Sequence, residues 1–401
     1  MSNLVIENIR ALEPGVGIIA EAVHITDGKI VKPDAETVQG ISEPERIDGG
    51  GRLLTPGLID LHAHGIGPVS YEAGPEALRE GLRRVTRHGT TCVLPTLTGS
   101  MSPERFDHLA SLAEALDEAD GASAPGLHLE GPFVGLPGAM IPIVPGDVEL
   151  LEALWDTTGG RVKAMSVSPE VSGILPVIER LCRRDIVPMI THTRATAEET
   201  LEAIEAGARH ATHFYDVFPV PDETDPGVRP VGAVEAILAE TRCTVDFICD
   251  GIHVAPVAIR AALAAKGYRG LMLITDANVG AGLPEGLYDT PAGYPIKISR
   301  ERGARIHDPK HPLDGALAGS TLTMERGITN LLRWLDLPPE QVWAMGASNP
   351  ARLLGLESKG TLREGADADL VLWEETDEGL SALKTWVGGR CVHDGQADAA
   401  P

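Results

Sequence analysis

The stretch LLTPGLIDLHAH, residues 53–64, decides the fold, because it is an apolar run that ends in two histidines, His62 and His64. Four later apolar runs have a polar side chain at or next to their end: GLHLEG at Glu130, VPMITHT at His192, HATHFY at His213 and LMLITDA at Asp276. In a closed parallel barrel the carboxyl ends of the strands open into one mouth, so such side chains converge. The sequence therefore predicts one polar site built from five strand ends.

Apolar runs alternate with amphipathic helical stretches through the middle of the chain, a pattern that is typical of repeated βα units. Eight strands are predicted, at residues 58–61, 91–97, 126–130, 162–167, 187–191, 210–214, 244–249 and 271–275. Eight units fit an α/β fold of the TIM-type (β/α)8 barrel class, with insertions. The alternative, a doubly wound open sheet, does not bring ligands on the first and last strands together.

The two ends of the chain differ from the middle, with short alternating segments such as AVHITDGKIV and LKTWVGGRCVHDG. Segments of this kind, interrupted by Gly and Asp, are typical of antiparallel strands with tight turns. Neither end is long enough for a core of its own. We therefore predict a small β-sandwich domain from residues 1–54 plus 357–401, beside a barrel domain of residues 55–356.

The composition narrows the possible partners and the compartment. The chain has 401 residues and a formal net charge of −24, which disfavours nucleic acid and anionic membranes, since both repel an acidic protein. No window of about 19 residues is apolar and uncharged throughout, so no membrane span is predicted. The N-terminus has an early Glu and no long apolar stretch, unlike a signal peptide, and the five cysteines form no CxxC pair. These features predict a cytoplasmic protein.

The polar strand ends have the chemistry of metal ligands. His62 and His64 are two residues apart, so in an extended strand both imidazoles point to one side and can bind one ion. Glu130 follows an apolar strand, and a carboxylate inside a barrel has to bind a metal or pair with a cation such as a barrel arginine. The predicted ligand set is His62, His64, Glu130, His192, His213 and Asp276. We predict one or two divalent ions per chain, zinc first, with iron, manganese or cobalt as alternatives that suit the same ligands.

Three further residues are candidates for catalysis or substrate contact. Asp276 can take a proton from the attacking water and give it to the leaving nitrogen, with helix capping as its alternative role. His253 follows the seventh predicted strand and is expected to contact the substrate or stabilise an oxyanion, unless it is structural. Ser320 is a candidate at the mouth, with helix capping again as the alternative.

Several motifs occur in a fixed order along almost the whole chain: PGLIDLHAHG, HLEGPFV, THTRAT, DGIHV, LITDA, LAGSTLTM and SNPARLLGL. With them the sequence resembles the amidohydrolase superfamily and, within it, the N-acetylglucosamine-6-phosphate deacetylase branch. The resemblance implies a homodimer that removes the acyl group from an N-acyl amino sugar or a related N-acyl amine. It also implies a first metal site at Glu130, His192 and His213, a second at His62 and His64, proton transfer by Asp276 and a substrate contact from His253.

Three positions on the substrate side depart from that branch. Asp216 stands where the branch has an Asn, Thr224 where it has an Arg, and Met140 where it has a His or Gln. A carboxylate repels a phosphate, and the loss of an arginine removes a bidentate clamp. We therefore expect weakened recognition of a 6-phosphate, with Arg229 and Arg194 as candidates to compensate.

Two other functions stay open at this point. One is a different amidohydrolase activity, such as hydrolysis of a cyclic amide or a deamination, which releases ammonia rather than acetate. The other is a barrel without catalysis that serves structure or binding. Barrels of that kind typically lose metal ligands, whereas this sequence keeps the complete predicted set.

Overall fold

A computed structural model describes residues 3–32, 44–137, 143–290 and 293–398 of the chain. Its strands are β1 (Asn3–Glu13), β2 (Gly17–Thr26), β3 (Lys29–Val31), β4 (Glu45–Pro56), β5 (Leu58–Ala63), β6 (Gly65–Ile66), β7 (Val69–Ser70), β8 (Thr90–Leu97), β9 (Leu127–Phe133), β10 (Val162–Val167), β11 (Val187–Ile190), β12 (His210–Ala211), β13 (Thr244–Ile248), β14 (Leu271–Ile274), β15 (Gly286–Asp289), β16 (Pro295–Ser299), β17 (Gly303–Ile306), β18 (Leu370–Thr376), β19 (Gly379–Val387) and β20 (Arg390–Asp394). Its α-helices are α1 (Pro75–Arg84), α2 (Phe106–Glu114), α3 (Val148–Thr157), α4 (Ile174–Arg183), α5 (Ala197–Ala206), α6 (Ala233–Ala239), α7 (Pro256–Lys266), α8 (Met324–Trp334), α9 (Pro339–Gly346), α10 (Ser348–Leu354) and α11 (Gly395–Asp398). A short 3₁₀ turn at Pro103–Arg105 leads into α2.

Eight strands form the central sheet, in the order β5, β8, β9, β10, β11, β12, β13 and β14. Every neighbouring pair is parallel, and the first strand contacts the last. Every residue of β5 and β8 is buried, as expected for strands of a parallel sheet that is covered on both faces. The predicted (β/α)8 barrel is confirmed.

The strand β12 is shorter than predicted, because it ends at Ala211 instead of Phe214. The chain turns immediately afterwards: the backbone φ of His213 is 36° and that of Tyr215 is 78°, both in the left-handed region. A strand cannot continue through such a conformation. The apolar pattern of HATHFY therefore continues beyond the strand into the turn.

A buried carboxylate closes the barrel between β5 and the end of β14. Asp60 accepts hydrogen bonds from the Thr275 hydroxyl at 2.5 Å, from the Thr275 backbone nitrogen at 3.1 Å and from the His62 backbone nitrogen at 3.3 Å. Two backbone bonds continue the closure, from Asp276 N to His62 O at 2.9 Å and from His64 N to Ala277 O at 2.7 Å. The HAH motif and Asp276 therefore lie side by side, although they are far apart in sequence.

The outer sheet contains strands from both ends of the chain, in the order β20, β19, β18, β4, β1, β2 and β3. Its core includes Ile6, Leu54, Leu370 and Trp386. This confirms a separate β domain made from both chain ends; its boundaries at residues 54 and 357 stay a prediction. The strands β1 and β4 are parallel, which differs from the antiparallel pairing that was expected. The reason is that β4 joins the free edge of β1 and does not extend the β1–β2–β3 meander.

A single residue, Gly57, separates the outer strand β4 from the barrel strand β5. A Cβ atom at this position would lie 1.9 Å from Oγ1 of Thr91 on β8, so only glycine fits between β4 and β5 beside that strand. The PGLID segment therefore connects the outer sheet to the barrel directly, with no loop between them.

A third sheet of strands β15, β16 and β17 is inserted between β14 and α8. Its strands are antiparallel, and Ile296, Ile298 and Ala304 pack with Val279 in a separate apolar cluster. The alternation of βα units in the sequence gives no sign of this insertion.

Within the described residues, no helix is both long enough and apolar enough to cross a membrane. The five cysteines are free, and Cys92, Cys243 and Cys249 are buried.

The closure by Asp60 can be tested with Thr275→Val, which keeps the shape of the side chain and removes its hydroxyl. At pH 8 Asp60, whose pKa burial raises to about 6, is ionised, so the variant leaves a buried carboxylate with one donor fewer. We expect the free energy of unfolding in urea to fall by roughly 1.5–3 kcal/mol. The matched control is Thr385→Val, whose hydroxyl donates to the neutral backbone oxygen of Thr86 and whose loss should cost only about 0.5–1.5 kcal/mol. Equal losses in the two variants would contradict a special role for Asp60.

Candidate active site

The candidate ligands His192, His213 and Asp276 lie just beyond their strands. Each comes two residues after the last residue of β11, β12 or β14. Their backbone φ angles are 47°, 36° and 47°, in the left-handed region that residues other than glycine seldom adopt. Strained backbone of this kind is common at active sites. Here it occurs at three side chains that line one cavity at the barrel mouth.

The two histidines of the HAH motif face each other at the mouth. His64 Nδ1 lies 3.1 Å from the backbone oxygen of Thr96, so this nitrogen carries a proton and donates it. His62 Nδ1 lies 3.1 Å from Thr212 Oγ1. The two Nε2 atoms, on the opposite sides of the rings, are 3.2 Å apart.

A buried carboxylate on β13 sets the proton position of His62. Asp246 Oδ2 accepts hydrogen bonds from Thr212 Oγ1 at 3.0 Å and from His210 Nε2 at 2.7 Å, and Oδ1 accepts one from the His213 backbone nitrogen at 2.5 Å. Because the Thr212 hydroxyl gives its one proton to Asp246, it accepts a proton from His62 Nδ1. In the neutral ring the Nε2 atom of His62 is then left with a lone pair, as a metal ligand requires.

Glu130 lies between two pairs of histidines, His192 with His213 and His62 with His64. Its Oε1 lies 3.1 Å from Nε2 of His192 and 3.1 Å from Nε2 of His213. Its Oε2 lies 3.2 Å from Nε2 of His64 and 3.5 Å from Nε2 of His62. The partners of this buried carboxylate are therefore histidines and not the barrel arginine that was the alternative.

The side chains brought together here fit a divalent metal. Asp276 Oδ1 lies 3.2 Å from His64 Nε2 and 3.7 Å from His62 Nε2. The buried Nδ1 of His192 has no hydrogen-bond partner in the described part of the chain. Two triads have ligand atoms within 4.8 Å of one another, namely His62, Glu130 and His213, and His62, His64 and Asp276. Imidazole nitrogens and carboxylate oxygens that converge in this way are the donors that zinc and its neighbours prefer.

Burial and opposite charge act against each other on the pKa values of this cluster. Burial alone would raise the pKa of Asp276, but the hydrogen bond from His64 and the charge of His62 lower it to about 2. Burial would also raise the pKa of Glu130, but the charge of His62 and hydrogen bonds from two more histidines hold it well below its usual range. Burial would lower the pKa of His213, but the hydrogen bond to Glu130 raises it to about 10. Both carboxylates therefore stay ionised at neutral pH and attract positive charge to the mouth.

A cavity of about 430 Å³ opens over the cluster, within the range of roughly 300–1,000 Å³ that is usual for small-molecule sites. His64, Glu130, His192, His213 and Asp276 line it. Apolar side chains form another part of the wall: Val217 after β12, and Val279, Ile296 and Leu317 from the segment after β14. A ligand in this cavity therefore meets the polar cluster and an apolar surface at once.

Two of the predicted substrate-side residues line the cavity. Asp216 is half-buried there, and His253 is mostly buried. His253 Nδ1 donates to Asp250 Oδ2 at 2.7 Å. Burial would lower the pKa of His253, but this hydrogen bond raises it, which favours the protonated ring as a donor.

The other predicted substrate-side residues do not line this cavity. Thr224, Arg229 and Arg194 are exposed, and Arg229 pairs with a glutamate on α6. Ser320 is buried, and its hydroxyl accepts a hydrogen bond at 2.7 Å from the backbone nitrogen two residues further on, which is a turn-capping role. Met140 lies outside the described residues. Neither Arg194 nor Arg229 is among the residues that line the cavity.

The cavity residues that were not predicted include three with polar or charged side chains: Glu72, Arg105 and Tyr294. Glu72 and Arg105 follow the first and second barrel strands, and the loops after barrel strands form the mouth. That position was the available signal for both. Tyr294 belongs to the inserted segment, for which the sequence pattern gave no signal.

Comparison with known proteins identifies the family. Residues 53–393 match the description "Amidohydrolase family". The N-acetylglucosamine-6-phosphate deacetylase of Lysinibacillus sphaericus is 33% identical over 399 residues, which cover 97% of each chain. The N-acetylgalactosamine-6-phosphate deacetylase of Escherichia coli O157:H7 is 29% identical over 345 residues, covering 84% of this chain and 87% of that protein. The crystal structure of N-acetyl-D-glucosamine-6-phosphate deacetylase from Mycobacterium smegmatis superposes with a TM-score of 0.80 at 26% identity, covering 98% of this chain and 100% of the other.

The matched region contains every barrel strand and all the histidines and carboxylates of the cluster. The likeness to the first relative extends over nearly the full length of both proteins. By fold, site and sequence, the chain belongs to the amidohydrolase family and is a hydrolase of amide C–N bonds.

Proposed function

We propose that the protein is a metal-dependent deacetylase of an N-acyl amino sugar or a related N-acyl amine. The observation that carries the proposal is the convergence of four imidazoles on Glu130 and Asp276 at the floor of one cavity. The relatives that match this chain over most of its length bear the names of deacetylases of N-acetylated amino sugar phosphates. Cyclic-amide hydrolysis and deamination have no comparable support.

Glu130, His192 and His213 would hold one divalent ion, and His62 and His64 a second, with Asp276 next to this second pair. An ion at these ligands acts as a Lewis acid that polarises the amide carbonyl and makes water more acidic. Zinc is the first candidate, and iron, manganese and cobalt suit the same donors.

Asp276 would carry the proton from the water to the leaving amine. Its carboxylate lines the cavity and, with a pKa of about 2, is ionised and ready to accept a proton. The water oxygen adds to the carbonyl carbon, the C–N bond breaks, and Asp276 returns the proton to the departing nitrogen. His253, held by Asp250, would donate to an oxygen of the substrate and keep it oriented.

We further propose a cytoplasmic homodimer that acts on a small molecule. The free cysteines suit a reducing compartment. Val220, Val228 and Val231, on the loop after β12, are 58%, 56% and 51% exposed. Several exposed apolar side chains on one loop are compatible with a protein interface.

Metal content tests the ligand assignment. The double variant His62→Ala with His64→Ala should lose about one equivalent of metal, since it removes two ligands of one site. Glu130→Ala should lose most of the metal, because Glu130 contacts both halves of the cluster. Elemental analysis of the purified proteins measures this, with His24→Ala on the outer sheet as the control. Unchanged metal content in both variants would show that these residues are not the ligands.

Turnover tests the proton carrier. Asp276→Asn should keep the fold and the metal but lower the rate of acetate release by about 10²–10⁴-fold, because an amide cannot carry the proton. The matched control is Asp336→Asn, an exposed aspartate after α8. A near-normal rate in Asp276→Asn would assign proton transfer to another residue.

The substrate's phosphate provides the third test. Asp216 lines the cavity and opposes a phosphate, so we expect no gain in kcat/KM from N-acetylglucosamine to its 6-phosphate. Asp216→Asn should shift this ratio towards the phosphate by about ten-fold, since a charge-assisted hydrogen bond contributes roughly 1.5–3 kcal/mol. A strong preference of the unmodified protein for the 6-phosphate would refute this expectation.

A further inference from the structure

Arg105 ends the 3₁₀ turn after β8 and lies at the exposed edge of the active-site cavity. Among the described residues that line this cavity, it is the one lysine or arginine. Its backbone nitrogen donates to Ser102 O at 2.9 Å, which holds the turn. A cation at the edge of a cavity whose other charged groups are mainly acidic is a candidate for binding the substrate.

The guanidinium of Arg105 has no hydrogen bond or ion pair with the described residues. The cavity wall also contains the carboxylate of Glu72, which already has other partners. It accepts hydrogen bonds from Thr98 Oγ1 at 3.1 Å, from Gly99 N at 2.9 Å and from Ser100 Oγ at 2.8 Å. Glu72 thus stabilises the loop, and Arg105 keeps its charge available.

Asp216 is the other charged side chain of the cavity that is outside the metal cluster and whose carboxylate has no hydrogen bond or ion pair with the described residues. Its backbone nitrogen donates to His213 O at 2.9 Å, and its backbone oxygen lies 3.3 Å from His213 Nδ1. A substrate therefore meets one free cation and one free carboxylate, besides the apolar wall. A planar guanidinium pairs in a bidentate way with either a carboxylate or a phosphate, but Asp216 repels the two charges of a phosphate dianion more strongly than the single charge of a carboxylate.

We propose that Arg105 binds a carboxylate of the substrate, so that the preferred substrate class is an N-acyl amine or amino sugar with one carboxylate, whose hydroxyl groups donate to Asp216. This rests on the proposed deacetylase function and adds the substrate class to it. The amide lies at the metal cluster, and the acidic group lies at the edge near α2.

The test compares three substrates with the metal-loaded full chain at low ionic strength: N-acetylmuramic acid, N-acetylglucosamine and N-acetylglucosamine 6-phosphate. The unmodified protein should show the highest kcat/KM for the carboxylated sugar. Arg105→Gln should lower the ratio of the carboxylated to the neutral sugar by about ten- to a hundred-fold, the range of one charge-assisted pair. Arg105→Lys should lower this ratio less, because lysine keeps the positive charge but loses the two parallel N–H donors of the guanidinium.

The matched control is Arg260→Gln, an exposed arginine on α7 outside the cavity, which changes the net charge equally and should leave the ratio unchanged. The ratio in the unmodified protein should also fall with added salt, since the pair is exposed. An unchanged ratio in Arg105→Gln overturns the proposal. So does a result in which Arg105→Gln selectively weakens the use of the phosphorylated sugar.

A failure of the deacetylase function itself has a different outcome, because no acetate is then released from any of the three sugars. In that case calorimetric titration of N-acetylmuramic acid and of N-acetylglucosamine decides the role of Arg105. Tighter binding of the acidic sugar that is lost in Arg105→Gln supports it, and equal binding of the two sugars overturns it.

Discussion

The hydrogen bonds of Asp60 are the constraint on which the site depends. A barrel of eight strands brings its ligands together only if the first strand meets the last in one register, and a slip would move the ligands away from each other. Asp60 fixes that register by binding Thr275 and the backbone of His62 at once. A carboxylate costs free energy in a buried position unless such donors are present. In a barrel with another register, the charge of Asp60 would be buried without these donors. The hydrogen bonds of Asp60 therefore also disfavour other registers.

The side chains of the cluster are held from two sides. The left-handed backbone at His192, His213 and Asp276 occurs where each strand has just ended, so the barrel wall sets the position of each side chain. Behind His62, Thr212 and Asp246 determine which ring nitrogen faces the cavity. Metal ligands commonly need outer partners of this kind for their orientation.

The sequence predicts the barrel and its cluster well, because both depend on periodic or local patterns. Apolar runs mark the strands, and a polar residue at the end of a run, such as Glu130, is conspicuous against them. Arg105 does not stand out in this way, because an arginine in a polar loop resembles any other surface arginine. For the same reason Arg229 was a candidate for anion binding, although this exposed loop residue pairs with Glu235 on α6. The short β12 was also beyond prediction, because the φ angle of His213 depends on the surrounding fold.

The position of β4 has a consequence for synthesis of the chain on the ribosome. This strand pairs with β1 on one side and with β18 on the other, and Trp373 Nε1 donates to Thr55 Oγ1 at 2.9 Å across a separation of 318 residues. One edge of β4 therefore stays unpaired until β18 has been translated. Contacts so distant in sequence slow folding, and open strand edges invite pairing with other chains. The nascent chain thus carries an aggregation-prone edge next to its decisive HAH motif for most of its synthesis, and a chaperone that covers this edge would protect both domains.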